Sequence, residues 1–318
     1  MMNGTTPTRM ALRLGAALCV AATCLLVVPG SRAQGAGPLV FGTPEDAARE
    51  LTEVVKANDL DRLIAIFGQA GQDLVDTSDV ATGRRNREVL VVAAAEGWRV
   101  VDLAPGRKEL VLGNEAWPFP APIVKGPSGW YFDAVAGREE ILNRRIGRNE
   151  LAVIRTCRTY VTAQRAYAST GHDGKPAGLF ARRFASTPGA HDGLYWPARP
   201  GAPRSPLGTL IAKAAEEGYS RKADGEGPSP LYGYYFRTLE GQGPAATGGA
   251  ADYVVNGEMS GGFALVAWPV FYDASGVMTF IVNQDGIVYQ KDLGPDTAAA
   301  VKAITKYDPD ATWLKVQP

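Results

Sequence analysis

The sequence predicts an α+β fold built in two successive parts, each of which places helices before an antiparallel sheet. Three observations predict it: a capped helix start near residue 43, a hairpin pattern over residues 123–132, and a last hundred residues rich in strands. Helices segregated from antiparallel strands are typical of the α+β class, because the helices cover one face of the sheet. The 318 residues suggest about two domains, which we place at residues 34–136 and 137–318.

The first 33 residues have the pattern of a secretory signal peptide. Arg9 and Arg13 precede an apolar run over residues 14–28, and Ser31 and Ala33 are the small residues before a cleavage site. An apolar run of about 15 residues is shorter than the roughly 20 that span a bilayer, which favours cleavage over retention as an anchor. We therefore expect an exported chain, periplasmic or extracellular, that keeps no membrane span after cleavage.

Charge and composition argue against several classes of function. The chain has 33 Lys and Arg residues against 33 Asp and Glu, and this zero formal charge gives no electrostatic basis for binding nucleic acid or an anionic membrane. Two histidines leave little room for a His-rich metal site. Without residues 1–33, only Cys157 remains of the three cysteines, so no intramolecular disulfide can form. We expect no cofactor.

The first part begins with a strong helix start. Thr43 supplies a capping hydroxyl, Pro44 fits the first helical position, and two acids follow. Helical spacing of apolar residues predicts a helix up to Asn58, a second over residues 60–67 and a third over residues 85–96. Strands are predicted after these helices at 98–103, 109–112, 123–125 and 130–132. This order of elements is similar to that of cystatin-like and nuclear-transport-factor-2-like folds.

A long helix is predicted from residue 136 to residue 169. One face is marked by residues three and four positions apart, namely Val153, Cys157, Tyr160, Gln164 and Tyr167. Gly137 and Gly147 weaken the pattern, which leaves open two helices with a bend near Gly147. Cys157 lies on this face, so we expect a buried thiol and not a nucleophile.

The long helix is followed by a loop segment, a short helix and a region rich in strands. Residues 170–206 are rich in Gly, Pro, Ala and Arg without periodicity, which predicts a long surface loop of functional or mobile type. A helix is expected from Ser205 to Glu217, closed by Gly218. Later elements are antiparallel strands at 232–239, 262–272, 277–283 and 287–291, with a hairpin turn at 283–286, and a final helix at 295–307.

Three segments resemble the bacterial domain-of-unknown-function 2950 family: residues 137–150, 252–257 and 279–295. The resemblance covers nearly the whole chain after the signal segment. It implies an exported bacterial protein without an established activity.

The second part, residues 137–318, also resembles the globular part of type II pseudopilins in its long helix, loop, short helix and closing sheet. True pilins place a cleavable leader directly before an apolar assembly helix. Here the signal segment lies over 100 residues upstream, and the helix carries Arg144, Arg145 and Arg148. Burying unpaired charges costs several kcal/mol each, so we expect a monomer or small oligomer and no pilus-like polymer.

Candidate site residues form two groups. Both histidines occur in copies of one tripeptide, at residues 172–174 and 191–193. The side chains of His172, Asp173, His191 and Asp192 are suitable metal ligands, whereas Asp-Gly pairs alone indicate two polar turns. The second group is aromatic and belongs either to the core or to a surface that binds a peptide or glycan. It comprises Tyr195, Trp196, Tyr232, Tyr234 and Tyr235.

No catalytic motif is recognisable. Residues 259–262 lack the glycine that precedes the serine of a nucleophile turn, and no phosphate-binding loop occurs. We therefore favour an exported, non-catalytic protein that binds a partner or ligand in the cell envelope. Two alternatives stay open: a periplasmic hydrolase whose site is assembled from scattered residues, and an accessory component of an envelope assembly or secretion system.

Overall fold

The computed structural model describes residues 37–71, 80–201, 203–216 and 230–317. Gly37 to Pro318 form one compact unit. The expected signal peptide and the expected helix end at Gly218 lie outside the described residues. Among the residues described, no helix is both long enough and apolar enough to cross a membrane.

The described elements confirm the α+β class. The helices are α1 (Pro44–Ala57), α2 (Leu60–Phe67), α3 (Val80–Glu96), α4 (Ala134–Ala168), α5 (Gly208–Glu216) and α6 (Thr297–Ala300), with 3₁₀ turns at Gln69–Gly71 and Val301–Ala303. The first strands are β1 (Trp98–Ala104), β2 (Arg107–Leu112), β3 (Trp117–Pro118), β4 (Ile123–Gly126) and β5 (Gly129–Phe132). The later strands are β6 (Arg183–Ala185), β7 (Gly193–Tyr195), β8 (Tyr234–Leu239), β9 (Gly241–Gln242), β10 (Ala251–Asp252), β11 (Val254–Val255), β12 (Glu258–Met259), β13 (Ala264–Pro269), β14 (Met278–Asn283), β15 (Tyr289–Asp292) and β16 (Leu314–Lys315).

The first two helices begin and end at the residues that the sequence predicts. The Thr43 hydroxyl accepts a hydrogen bond of 3.1 Å from the Asp46 amide, which satisfies a free donor at the start of α1. Asn58 ends α1 in the left-handed conformation at φ 54°. The Asp59 carboxylate then accepts from the Arg62 amide at 2.9 Å and starts α2.

The first sheet has the antiparallel order β1-β2-β4-β5, with β3 paired to β2. Helices α1 and α2 pack on it and enclose a separate hydrophobic core. Phe67 lies at the centre of that core, with ring centroids 5.6 Å from Phe132 and 6.2 Å from Phe119. The core also contains Leu51, Ile66, Leu110, Leu112 and Ile123.

Helix α4 is continuous over 35 residues, so the alternative of two helices is wrong. The Asp133 carboxylate caps its start by accepting from the Ala136 amide at 3.0 Å. A glycine inside a helix costs about 1 kcal/mol relative to alanine, and the burial of Ile146 and Asn149 next to Gly147 offsets that cost. The predicted face is buried, with Val153, Cys157 and Tyr160 fully inaccessible, and it packs against β13 and β14.

The second sheet has the antiparallel order β16-β15-β14-β13-β8. All four strands predicted in this region are present, although each is shorter than expected. The predicted hairpin turn is confirmed, since Gly286 has a φ of 77° and its amide donates to Asn283 O at 3.0 Å. Together with α4, this sheet encloses a second hydrophobic core. The domain boundary at residue 136 stays a prediction.

The structure adds to one prediction about local structure and corrects another. Within the expected loop at 170–206 it places the parallel pair β6 and β7, whose three-residue strands are too short to show a pattern in the sequence. The expected final helix ends its α-helical part at Ala300, because Tyr307 pairs instead with β9. The Tyr307 amide donates to Gly241 O and the Gly243 amide to Tyr307 O, both at 2.9 Å, which draws the chain out of the helix.

The buried thiol of Cys157 allows a direct test of this packing. Burial raises the pKa of the thiol to about 12, and the thiolate is the reactive form. In the chain 34–318, we expect a bulky aromatic disulfide to label Cys157 at about one thousandth of the rate of a free cysteine at mildly alkaline pH. The same chain in denaturant is the control and should react at the ordinary rate. Rapid labelling of the folded chain would contradict the burial of this face.

Candidate functional site

A cavity of about 470 Å³ opens at the C-terminal end of α4. We call it the polar groove. Much of its lining comes from one segment after α4, residues 170–183, and the rest from the last turn of α4, the residue between β8 and β9, β12 and the turn before β7. The lining residues are Tyr167, Thr170, His172, Asp173, Lys175, Pro176, Leu179, Phe180, Arg182, Arg183, Asp192, Glu240 and Glu258.

A buried amide holds the groove wall against α4. The Gln164 side chain is fully inaccessible and pairs with both backbone groups of Ala181, each at 2.8 Å. The Gln164 amide nitrogen also donates to the Tyr160 hydroxyl at 2.9 Å, and this hydroxyl donates to Ala264 O in β13 at 3.1 Å. A chain of hydrogen bonds therefore runs from the second sheet through α4 to the groove wall.

Ion pairs and one backbone bond fasten the same wall to the opposite side. The Phe180 amide donates to Met259 O at 2.8 Å. Lys175 Nζ lies 3.0 Å from the Glu258 carboxylate, and Arg182 forms an ion pair with Glu240. These ion pairs are exposed, so each contributes about 0–1 kcal/mol and can be exchanged for another partner at little cost.

The two His-Asp-Gly segments lie next to each other at the groove. The Asp173 carboxylate accepts from the His191 amide at 2.6 Å and lies 3.0 Å from His191 Nδ1. The Asp192 carboxylate accepts from the Thr187 amide and hydroxyl, both at 2.7 Å. Of the four candidates, all except His191 line the groove.

These contacts agree with the interpretation of the two segments as polar turns. Both carboxylates are already bound by backbone amides, which metal coordination would have to displace. The described part of the chain has no group of three or more His, Cys, Asp or Glu residues arranged to hold a metal ion. The metal-site interpretation therefore gains no support.

Two of the groove carboxylates, those of Asp173 and Asp192, have pKa values below the ordinary value of an aspartate. The hydrogen bond from the His191 amide, helped by the His191 ring, lowers the pKa of Asp173 below its ordinary value. Burial acts to raise the pKa of Asp192, but hydrogen bonds from Thr187 and the charge of Arg183 outweigh it, and the pKa is lowered. Burial raises the pKa of the Tyr167 phenol to about 12. A carboxylic acid that donates a proton needs a raised pKa, so neither aspartate suits that role.

His172 is the only histidine among the residues that line the groove. Its ring contacts the hydroxyl group of Thr170. Its ring stacks on Tyr167 with centroids 4.0 Å apart. His172 Nε2 lies 3.0 Å from Tyr167 O and 3.2 Å from Thr170 Oγ1. A carbonyl oxygen only accepts, so these bonds assign the proton to Nε2. In this arrangement, Nε2 cannot take a proton from Thr170.

The aromatic candidates do not form one exposed surface. Trp196, Tyr232 and Tyr234 are buried in the second core, so the binding-surface interpretation is wrong for these three and the core interpretation is confirmed. Their polar atoms have internal partners: Trp196 Nε1 donates to Pro203 O at 2.8 Å, and the Tyr234 hydroxyl donates to Met278 O at 3.0 Å. Tyr195 and Tyr235 are half-buried.

Sequence reasoning missed the charged residues of the groove. Lys175, Arg182, Arg183, Glu240 and Glu258 come from segments far apart in the chain. No local motif joins them. The repeated His-Asp-Gly tripeptide was the one signal that pointed to this region.

The fold and the groove define a two-core α+β protein with a charged surface groove at the end of its long helix. The family model described as Protein of unknown function (DUF2950) matches residues 39–316, and the chain belongs to this family. The match covers both sheets and every residue of the groove. Searches of curated proteins and of solved structures each gave no match, and the pseudopilin resemblance stays unconfirmed.

The bond between Asp173 and the His191 amide predicts a pH dependence. Because the pKa of Asp173 is lowered by folding, its contribution to stability is complete above about pH 4 and is lost as the pH falls further. We expect Asp173→Asn to lower the free energy of unfolding by about 1 kcal/mol at neutral pH. The difference from the wild type should shrink in strong acid.

Denaturant titration at neutral and at strongly acidic pH measures this difference. Asp296→Asn is the matched control, because Asp296 is exposed and makes no capping hydrogen bond. An equal decrease in the free energy of unfolding for both variants at neutral pH would contradict the role assigned to Asp173.

Proposed function

We propose that the protein is an exported envelope protein that binds a polar partner through the groove and does not catalyse a reaction on it. Export is supported by the signal-peptide pattern of the first 33 residues. Binding is supported by the charged side chains that surround the cavity in pairs of opposite sign.

The charges of the groove favour a ligand that carries both signs. Four carboxylates and three cationic side chains line it, and neither sign dominates. A purely anionic or purely cationic ligand would meet like charges on part of the wall. The partner of best fit is an extended peptide segment with both acidic and basic side chains, whose charges can replace the exposed ion pairs of Lys175 and Arg182 at little cost.

The protonation states argue against general acid–base catalysis. The pKa values of Asp173 and Asp192 are lowered, which suits charged anchoring groups and not proton donors. His172 Nε2 is engaged with Tyr167 O. These observations favour binding over hydrolysis.

One observation favours a hydrolase as the second candidate. Thr170 Oγ1 and His172 Nε2 lie 3.2 Å apart, the distance of a nucleophile and its general base. Proton transfer between them would require His172 to release Tyr167 O and carry its proton on Nδ1. Hydrolysis is thus the less supported of the two functions.

Photo-crosslinking in the native cell tests the proposal. A benzoylphenylalanine in place of Leu179 stands in the groove lining, whereas one in place of Val92 stands on the exposed face of α3, away from the groove. We expect a discrete crosslinked species at position 179 that is absent at position 92. Adding Lys175→Glu and Arg182→Glu should reduce that species at least several-fold, because both cations of the exchangeable pairs are then reversed.

Two results would contradict the proposal. One is equal crosslinking at both positions. The other is turnover of a peptide, ester, phosphate or glycan substrate by the purified chain that Thr170→Ala abolishes. Mass spectrometry of the crosslinked species would also reveal whether the partner is a subunit of an envelope assembly.

A further inference from the structure

The outer face of α4 carries a row of arginines opposite its buried face. Positions along this face alternate in steps of three and four, which places them on one side of a helix. We call it the arginine face, and it consists of Arg148, Leu151, Arg155, Arg158, Thr162 and Arg165, all of them exposed.

The part of the chain that the structure describes provides no carboxylate that pairs with the arginine face. None of its four arginines takes part in an ion pair among the described residues. Arg165 donates to Gln284 O at 2.9 Å and Arg158 to Gln317 O at 3.4 Å, both neutral groups. The one acid of this stretch, Glu150, is turned to the sheet, where it accepts from the Val277 and Met278 amides at 2.9 Å.

This local charge contrasts with the charge of the whole chain. Lys and Arg balance Asp and Glu over 318 residues, and removal of residues 1–33, which contain three arginines and no acid, leaves a net charge of −3. A chain with this net charge is repelled by an anionic surface unless a cationic face is turned towards it. The arginine face is such a surface.

We propose that the arginine face docks the protein on an anionic phospholipid surface, with α4 lying flat on it. Guanidinium groups bind phosphate in a bidentate manner, and every cationic residue of α4 is an arginine. From Arg148 to Arg165 the face extends about 26 Å at 1.5 Å per residue. Lipid headgroups move laterally and can match any spacing of arginines along it.

Leu151 favours a lipid over a hydrophilic polyanion. Its side chain is 58% exposed between Arg148 and Arg155 on the same face. An amphipathic surface of this kind places an apolar residue at the boundary of headgroups and acyl chains. A polyanion or an acidic protein would gain less from it, and the protein would also need a matching register.

Vesicle sedimentation of the chain 34–318 tests the proposal. This chain contains both cores, since every residue of the two cores lies after residue 36. We expect binding to phosphatidylcholine vesicles with about one quarter phosphatidylglycerol, none to pure phosphatidylcholine, and release at about 0.5 M salt. Because each arginine near such a surface contributes about fivefold to binding, the variant R148Q/R155Q/R158Q should bind about 100-fold more weakly.

A matched control variant distinguishes the effect of the arginine face from the effect of net charge on vesicle binding. Lys56→Gln, Arg99→Gln and Arg107→Gln remove the same number of charges from exposed positions away from α4. This control should bind as the wild type does, and Leu151→Ser should bind several-fold more weakly at constant charge. The melting temperature of each variant, compared with the wild type, verifies its fold.

Three results would overturn the proposal. They are no binding of the wild type to the anionic vesicles, equal losses in the two charge variants, and wild-type binding by the Leu151→Ser variant together with equal affinity for soluble polyphosphate. The last would assign the arginine face to a linear polyanion. None of these results bears on the groove, which is a separate site.

Discussion

The buried side chain of Gln164 is the contact on which the groove depends. Its amide satisfies both backbone groups of Ala181 and is itself held by the Tyr160 hydroxyl, which is bonded to Ala264 in β13. A buried polar group left without a partner costs about 1–3 kcal/mol, so each bond of this chain requires the others. The wall that begins at Thr170 is thereby fastened to the second sheet. The ion pairs at its rim are exposed and weak by comparison, so they can exchange with a ligand while Gln164 continues to hold the wall.

Helix α4 joins the separate features of the fold. Near its start, Arg144 donates to Pro118 O at 2.8 Å and stacks over Trp117, which ties it to the first sheet. Farther along, the Glu150 carboxylate accepts hydrogen bonds from the Val277 and Met278 amides at the start of β14. Near the end of the helix, Gln164 holds the groove wall. The opposite face carries the four arginines of the arginine face, which form no ion pair with any described carboxylate. One helix therefore supports the second core, positions the groove and presents a charged surface to its surroundings.

Local signals predicted those elements whose causes are local. The cap at Thr43, the buried face of α4 and the turn before Gly286 each follow from a few adjacent residues. The short final helix was not predictable, because Tyr307 leaves it to pair with a distant strand. The charges of the groove likewise meet only after folding, since Glu240 and Glu258 lie far along the chain from Lys175. The spacing of the arginine face is visible in the sequence, whereas the balanced net charge of the whole chain conceals this local asymmetry.

Amide hydrogen exchange at Ala181 tests the central claim most directly. Its N–H is buried and bonded to Gln164 Oε1, so it should exchange only when the second core opens, at least about a thousandfold more slowly than the exposed amide of Gly174 in the same segment. Gln164→Leu should bring the exchange rate of Ala181 close to that of Gly174, while Val266 in β13 stays protected. Rapid exchange of Ala181 in the wild type, or an unchanged rate in the variant, would show that Gln164 does not hold the groove wall.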